Sequence, residues 1–256
     1  ALLASHAHAQ VDVGQASGIR KLIPAETLEA SARQQYRQTL GAAESKGALA
    51  PDDYPQLKRL RAIAAKLIPF TAQWNPDSRK WKWEVNLIGS KQINAWCMPG
   101  GKIAFYTGIL DQLQLTDDEI AAVMGHEIAH AVASHARERM SNGLVLNFGL
   151  SAVSTAMGQN PTLTQQILLQ SVGMGSQLGM LKFSRKHELE ADDLGLIFMA
   201  MAGYDPREAP IFWERMSAKG GQAPPEFLST HPGPDRRIEQ LNAKMPKALE
   251  YYNAAK

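Results

Sequence analysis

Apolar positions alternate with polar ones over residues 81–88, whereas most of the chain repeats its apolar residues with a helical period. In Trp81–Ile88, large apolar residues recur at every second position, which predicts a strand with one buried face. Two further extended runs, Gln92–Cys97 and Lys102–Tyr106, follow and are separated by the turn-forming residues Met98–Gly101. The pattern therefore predicts a small antiparallel meander.

Two helices are predicted before this sheet. Residues Ala25–Lys46 are rich in Ala, Glu, Gln and Arg and contain no proline, which favours a helix that ends near Gly47. A second helix is predicted from about Asp52 to Ile68, because Pro69 follows and proline interrupts helical hydrogen bonding.

Helical periodicity returns after the sheet and continues to the end of the chain. Thr116 and Glu119 have the spacing of a capping box, so a long helix is predicted from Asp117 to about Met140. Three more helices are predicted from their start and stop residues. They are a helix over about Ser184–Ala202 closed by Gly203, a helix capped by Asp205 and opened by Pro206, and a last helix from about Asp235.

The segment Ser141–Leu181 contains no Asp, Glu, Lys or Arg, and Pro161 divides it in two. The favoured interpretation is a pair of buried apolar helices. The alternative is an apolar surface that contacts a partner. The partner would be an unfolded client protein, a second copy of the chain, or a membrane. In the last case the segment would make a peripheral contact or an outer-membrane assembly contact. Met157, Met174 and Met180 would then provide adaptable contacts.

Composition limits the classes of protein that the chain can belong to. Its 256 residues are 45% hydrophobic and 20% charged, which is typical of a folded globular protein. The net charge of +2 is too small to indicate a nucleic-acid partner. The single cysteine, Cys97, excludes a multi-cysteine metal cluster, so metal ligands would have to be His, Asp or Glu.

The first residues resemble the tail of a secretory leader. Ala7-His8-Ala9 fits a small-residue cleavage site before Gln10, although the charged part and most of the apolar part of a leader are absent. The alternative is an N-terminal segment docked on the domain. We therefore assign residues 1–24 to a leader-like or N-terminal segment, and 25–256 to a single domain.

The strongest chemical motif is His126-Glu127-Ile128-Ala129-His130, in the middle of the helix that begins at Asp117. At 3.6 residues per turn, the two histidines lie about 40° apart on one helix face. Both can therefore bind one Zn²⁺ at about 2.0–2.1 Å. Glu127 would lie beside the metal, where a general base for the attacking water is needed. The alternative is a chance match on a surface helix, which the apolar neighbours disfavour.

A third ligand is predicted on the helix over 184–202. Glu188 and Asp192 are four residues apart and share a helix face, whereas Glu190 points away from it. One carboxylate of the pair can bind zinc while the other accepts a hydrogen bond from the second ring nitrogen of a ligand histidine. Ala191 would let this helix approach the first one closely.

Several further motifs occur in a fixed order with these residues: Asn94-Ala95-Trp96, Pro99–Ile103, Ser184-Arg185 and His231-Pro232 with Arg237-Ile238. Together with His126-Glu127-x-x-His130 and Glu188-x-x-x-Asp192, they resemble the zinc metallopeptidases of the CAAX prenyl protease and HtpX type, closest to the soluble periplasmic members. The resemblance covers about residues 80–240. It implies that Glu188 is the third zinc ligand and that Asn94, Ala95 and Trp96 form the substrate-side edge strand.

The fold that we expect is α+β, a mainly helical gluzincin-like domain with a small antiparallel sheet and one Zn²⁺ per chain. The expected function is a zinc metalloendopeptidase of the bacterial periplasm that acts on unfolded or misassembled envelope proteins. The substrate would add as a strand beside Asn94–Cys97 or Lys102–Tyr106. One alternative is a chaperone-like binding protein with a latent zinc site, which Glu127 disfavours because a purely structural site needs no base. Another is a zinc hydrolase that acts on non-peptide substrates.

The remaining histidines receive different interpretations. The resemblance implies that His231, in a predicted loop, is a fourth zinc ligand that displaces the catalytic water and keeps the enzyme latent. The alternative is a loop histidine that caps the helix near Asp235. His135 is nine positions from His126 and would face the other side of the same helix, so we interpret it as structural. His187 is interpreted as a surface or packing residue.

Overall fold

The computed structural model of the chain describes residues 18–149, 178–219 and 225–256. The helices within these ranges are α1 Ala25–Ser45, α2 Pro55–Thr71, α3 Thr107–Leu113, α4 Asp117–Val132, α5 His135–Phe148, α6 Arg185–Met201, α7 Glu208–Ala218, α8 Glu226–Thr230 and α9 Pro234–Ala254. The strands are β1 Glu84–Ile88, β2 Ala95–Met98 and β3 Lys102–Tyr106. Short 3-10 helices cover Gly18–Leu22, Pro76–Lys80 and Leu178–Met180. The fold is mainly helical α+β, as the sequence predicted.

Two predicted features fall wholly or largely outside the described residues. The described residues leave out residues 1–17 of the leader-like or N-terminal segment 1–24 and residues 150–177 of the charge-free segment. Among the helices that are described, none combines the length and the apolar character needed to cross a bilayer.

The sheet is mixed, so the prediction of an antiparallel meander is wrong. The strand order is β1-β3-β2, with β3 antiparallel to β2 and parallel to β1. Gly100 and Gly101 form the tight turn between β2 and β3 at φ values of +83° and +78°, a region that glycine enters without steric cost. Because this turn fixes the hairpin, β1 pairs with the remaining edge of β3.

Helix α4 begins as predicted but ends earlier. The hydroxyl of Thr116 accepts a hydrogen bond from the amide of Glu119, and the carboxylate of Glu119 accepts one from the amide of Thr116. This confirms the capping box. The helix ends at Val132, because Ser134 adopts a left-handed conformation at φ +62°, and α5 starts at His135. The prediction of one continuous helix to Met140 is therefore wrong.

Two other helix boundaries differ from the prediction. Helix α2 continues through Pro69 to Thr71, whose hydroxyl donates to the carbonyl of Ile68 in the last turn. Helix α7 starts at Glu208 rather than at Pro206. The carboxylate of Asp205 accepts a hydrogen bond from the amide of Arg207, two residues on, and this side-chain turn delays the helix.

Helices α4 and α6 meet backbone to backbone at a pair of glycines. A Cβ atom added to Gly195 would lie 2.7 Å from the amide nitrogen of His126, and one added to Gly125 would lie 2.9 Å from the carbonyl oxygen of Gly195. Ala191 is buried, but the glycines set the closest approach. The crossing brings the His126 face of α4 against the face of α6 that carries Glu188.

Candidate metal centre

Four buried side chains from three parts of the chain converge on one point: His126 and His130 of α4, Glu188 of α6, and His231 at the end of α8. The Nε2 atoms of His126 and His130 are 3.0 Å apart. Each lies 3.5 Å from an oxygen of Glu188. The Nδ1 atom of His231 lies 3.2 Å from Nε2 of His126 and 3.1 Å from Glu188.

These separations fit a tetrahedral zinc ion. Ligand atoms at about 2.0–2.1 Å from zinc are about 3.4 Å apart in tetrahedral geometry, close to the distances in the cluster. The Nδ1 atom of His126 lies 2.9 Å from a carboxylate oxygen of Asp192, which keeps the proton on Nδ1 and leaves the Nε2 lone pair facing the cluster. Burial lowers the pKa of His130 well below its usual value, so its ring is neutral, as a ligand requires.

The charges of the cluster favour a cation at its centre. Burial by itself raises the pKa of Glu188, but His231 and His130 outweigh burial and hold that pKa far below its usual range. Burial lowers the pKa of His231, but Glu188 and Glu127 outweigh it and raise the pKa to about 9. The buried carboxylates of Glu188 and Glu127 are therefore stabilised by positive charge at this point, and a divalent cation would supply it.

Glu127 lies beside the cluster. Its Oε1 atom is 3.2 Å from Nε2 of His231, yet within the described residues it has no partner in hydrogen-bonding geometry. A buried carboxylate oxygen without such a partner is costly and is available to accept a proton. This placement is the one that a general base beside a metal needs.

Arg237 of α9 supports the cluster through Asp192 and Glu188. The spacing of residues along the sequence did not predict this role. Its Nε and Nη2 atoms each lie 2.5 Å from an oxygen of Asp192, and Nη1 lies 3.0 Å from Glu188. Its guanidinium stacks on Trp213 at 3.5 Å. Burial raises the pKa of Asp192, but Arg237 outweighs burial and lowers it. Arg237 thus keeps the carboxylate that orients His126 ionised.

Aromatic side chains close the cluster from solvent. The ring of Phe183 stacks on His130 with centroids 4.0 Å apart, and Phe227 contacts His231 at 4.4 Å. None of the four converging residues is more than 3% exposed. Within the described part of the chain, the cluster is therefore closed from solvent.

The predicted substrate strand lies at the edge of the sheet but is covered. Asn94, Ala95 and Trp96 are buried, and a Cβ atom on Gly179 would lie 2.7 Å from the Trp96 ring. The alternative prediction, that a substrate strand adds beside Lys102–Tyr106, is wrong. That segment is β3, which is hydrogen-bonded on both sides and cannot accept another strand.

His135 and His187 are buried together, and His135 is not where the sequence placed it. Because the helix breaks at Ser134, His135 returns towards the cluster, and its Nδ1 atom lies 2.9 Å from Nδ1 of His130. The ring of His187 stacks on His135 with centroids 4.4 Å apart, which confirms a packing role. The sequence prediction did not include the contact with His130, because it placed His135 on one continuous helix with His126.

The chain is similar to known metallopeptidases over most of its length. The model of peptidase family M48 matches residues 56–245. The mitochondrial metalloendopeptidase OMA1 of Arabidopsis thaliana is 40% identical over 174 residues, which are 66% of this chain and 33% of the relative. The OMA1 metalloendopeptidase of Homo sapiens is 34% identical over 183 residues, 68% of this chain and 34% of the relative.

A bacterial relative shows similar coverage. The β-barrel assembly-enhancing protease of Escherichia coli is 30% identical over 169 residues, which are 63% of this chain and 34% of the relative. The chain spans about a third to a half of the length of the curated relatives that it matches.

Proposed function

The chain belongs to peptidase family M48, and from this premise we propose that it is a zinc-dependent endopeptidase whose resting site is closed. One observation carries the proposal: His126, His130 and Glu188 place their ligand atoms around one point, and the carboxylate of Glu127 lies beside it. In this proposal the three residues hold one Zn²⁺ per chain.

The residues around this point have separable tasks. A bound Zn²⁺ supplies Lewis acidity, which polarises a carbonyl group and acidifies water. Glu127 takes the proton from the attacking water and delivers it to the leaving amide nitrogen. Asp192 orients the ring of His126 through the 2.9 Å contact with Nδ1, and Arg237 fixes Asp192.

We assign His231 the role of a latch. Its ring lies between Glu127 and Glu188, with one nitrogen facing each carboxylate. Without a metal the two carboxylates favour the protonated ring; as a fourth ligand the ring would lose that proton and fill the position that the attacking water needs. It ends the five-residue helix α8 and precedes Gly233, whose φ is +82°. Release of this connection would free the position beside Glu127.

The site and the relatives support a proposed substrate class. The proposed substrates are unfolded or misassembled envelope proteins, because recognition by strand addition reads main chain more than side chains. β2 is the proposed docking edge, and its use requires the Leu178–Met180 segment to move away from Trp96. The E. coli relative is named for β-barrel assembly, which supports a periplasmic location, whereas the OMA1 relatives are mitochondrial.

Replacement of His231 tests both the proposed activity and the latch. We expect His231→Ala to raise the initial rate of casein cleavage at saturating zinc, because the variant frees the position that the ring fills, while the zinc content stays near one per chain. A chelator should abolish cleavage by both proteins. The matched control is His187→Ala, which removes another buried histidine that does not join the cluster.

Other outcomes contradict specific parts of the proposal. A fall of about 10²–10³-fold in rate would mean that His231 donates to the oxyanion instead of blocking the site. An unchanged rate would make it a structural loop residue. Binding of unfolded casein without cleavage by either protein would support the chaperone-like alternative.

A further inference from the structure

The Nδ1 atoms of His130 and His135 lie 2.9 Å apart, on the side of the His130 ring away from the metal cluster. The Nε2 atom of His130 faces the cluster, 3.0 Å from His126 and 3.5 Å from Glu188. If Nε2 of His130 holds a metal, that nitrogen carries a lone pair, and the ring proton must be on Nδ1.

The position of this proton determines the role of each ring. The Nδ1 atom of His130 donates its hydrogen, so Nδ1 of His135 must accept it. The proton of His135 is then on Nε2. Oε2 of Glu190 lies 3.3 Å from that nitrogen, but the two atoms do not form a hydrogen bond. A small turn of the Glu190 side chain, which is 20% exposed, would complete the chain of donors.

The backbone is strained at the residue that makes this contact possible. Ser134 has φ +62°, a left-handed conformation that is sterically unfavourable for a non-glycine residue. Without that break, α4 would carry His135 to its opposite face. Such a conformation persists where the surrounding structure requires it, and the buried ring of His135 lies directly after it.

A second buried histidine packs against the His135 ring. His187 stacks on it at an interplanar angle of 16°, and Nε2 of His187 lies 3.6 Å from a carboxylate oxygen of Glu138. His187 makes no hydrogen bond to the four converging side chains within the described residues. Of this pair of rings, only His135 bonds to one of the proposed ligands.

We propose that His135 is a positioning residue for the metal: it accepts the Nδ1 proton of His130 and so fixes the tautomer and the orientation of that ring, with Glu190 as the acceptor for its own proton. The inference rests on the proposed function, because it assigns a role relative to a ligand of the proposed zinc site. It corrects the purely structural interpretation of His135. Asp192 does the same for His126, so each histidine of α4 has its own orienting partner.

The test is zinc affinity measured by competition with a chromogenic chelator at fixed pH. We expect His135→Leu to bind zinc about 10–100-fold more weakly than wild type, the usual effect of losing a partner that orients a ligand. We expect His135→Asn to stay close to wild type, because its amide oxygen can accept from Nδ1 of His130. His187→Leu, the matched control, should also bind like wild type. Thermal unfolding of the metal-free proteins checks that each variant folds.

The measured zinc affinities distinguish a positioning role of His135 from a packing role, and both from a failure of the proposed function. Wild-type affinity in His135→Leu, or an equal loss in His187→Leu, would overturn the positioning role and leave packing. Absence of zinc binding by the wild type would instead overturn the proposed function. Nitrogen-15 shifts of the zinc-bound wild type give a reading that needs no variant: His135 should be protonated on Nε2 and bare on Nδ1. A proton on Nδ1 of His135 would contradict the proposal.

Discussion

Replacing Glu127 by glutamine is expected to lower casein hydrolysis by about 10²–10⁴-fold, the usual contribution of a general base. Glutamine has nearly the same shape but cannot accept the proton of the attacking water. Zinc content and thermal unfolding should stay unchanged, because Glu127 lies beside the cluster and is not part of it. The comparison is best made in the His231→Ala background, where the proposed latch is absent.

The control for Glu127→Gln is Glu138→Gln, which changes another poorly exposed carboxylate outside the cluster. That variant should cleave casein at the parent rate. Loss of zinc in Glu127→Gln would show that Glu127 binds the metal. A rate equal to that of the parent would show that some other group moves the proton.

Replacing Arg237 by methionine is expected to lower the free energy of unfolding of the metal-free protein by about 3–5 kcal/mol. Arg237 is 1% exposed and pairs with Asp192 and Glu188, both of which are also buried. Methionine keeps much of the packing on Trp213 but leaves the Asp192 carboxylate without its cation. Urea unfolding in the presence of a chelator measures the change.

Two controls separate the lost charge pair from other effects of the Arg237 replacement. Arg207→Met breaks an exposed pair with Asp205 and should leave the free energy of unfolding nearly unchanged. Adding Asp192→Asn to Arg237→Met should recover part of the loss, because the buried charge is then removed. A change below about 1 kcal/mol in Arg237→Met would show that Asp192 does not depend on this guanidinium.

Local spacing was sufficient to predict the part of the site that lies on single helices. The capping box at Thr116 sets the start of α4, and the four-residue spacing places His126 and His130 on one face. The same spacing puts Glu188 and Asp192 together on α6. Such features depend on neighbours a few residues apart, so the sequence alone carries them.

Tertiary contacts decide the features that the sequence did not reveal. The pairing of β1 with β3 depends on which edge the β2–β3 hairpin leaves open. No glycine or proline in the sequence indicates the helix break at Ser134. The break brings His135, which a continuous helix would place on the opposite face, next to His130. Arg237 joins Asp192 across 45 residues, a distance at which periodicity predicts nothing.

The most direct test of the central claim is the zinc content of the purified chain and of two double variants, measured by elemental analysis. The account predicts one zinc per chain in the wild type and none in His130→Ala/Glu188→Ala, which removes two of the proposed ligands. His187→Ala/Glu138→Ala, which removes a buried histidine and a nearby glutamate outside the cluster, should keep its zinc. Stoichiometric zinc in His130→Ala/Glu188→Ala would contradict the site.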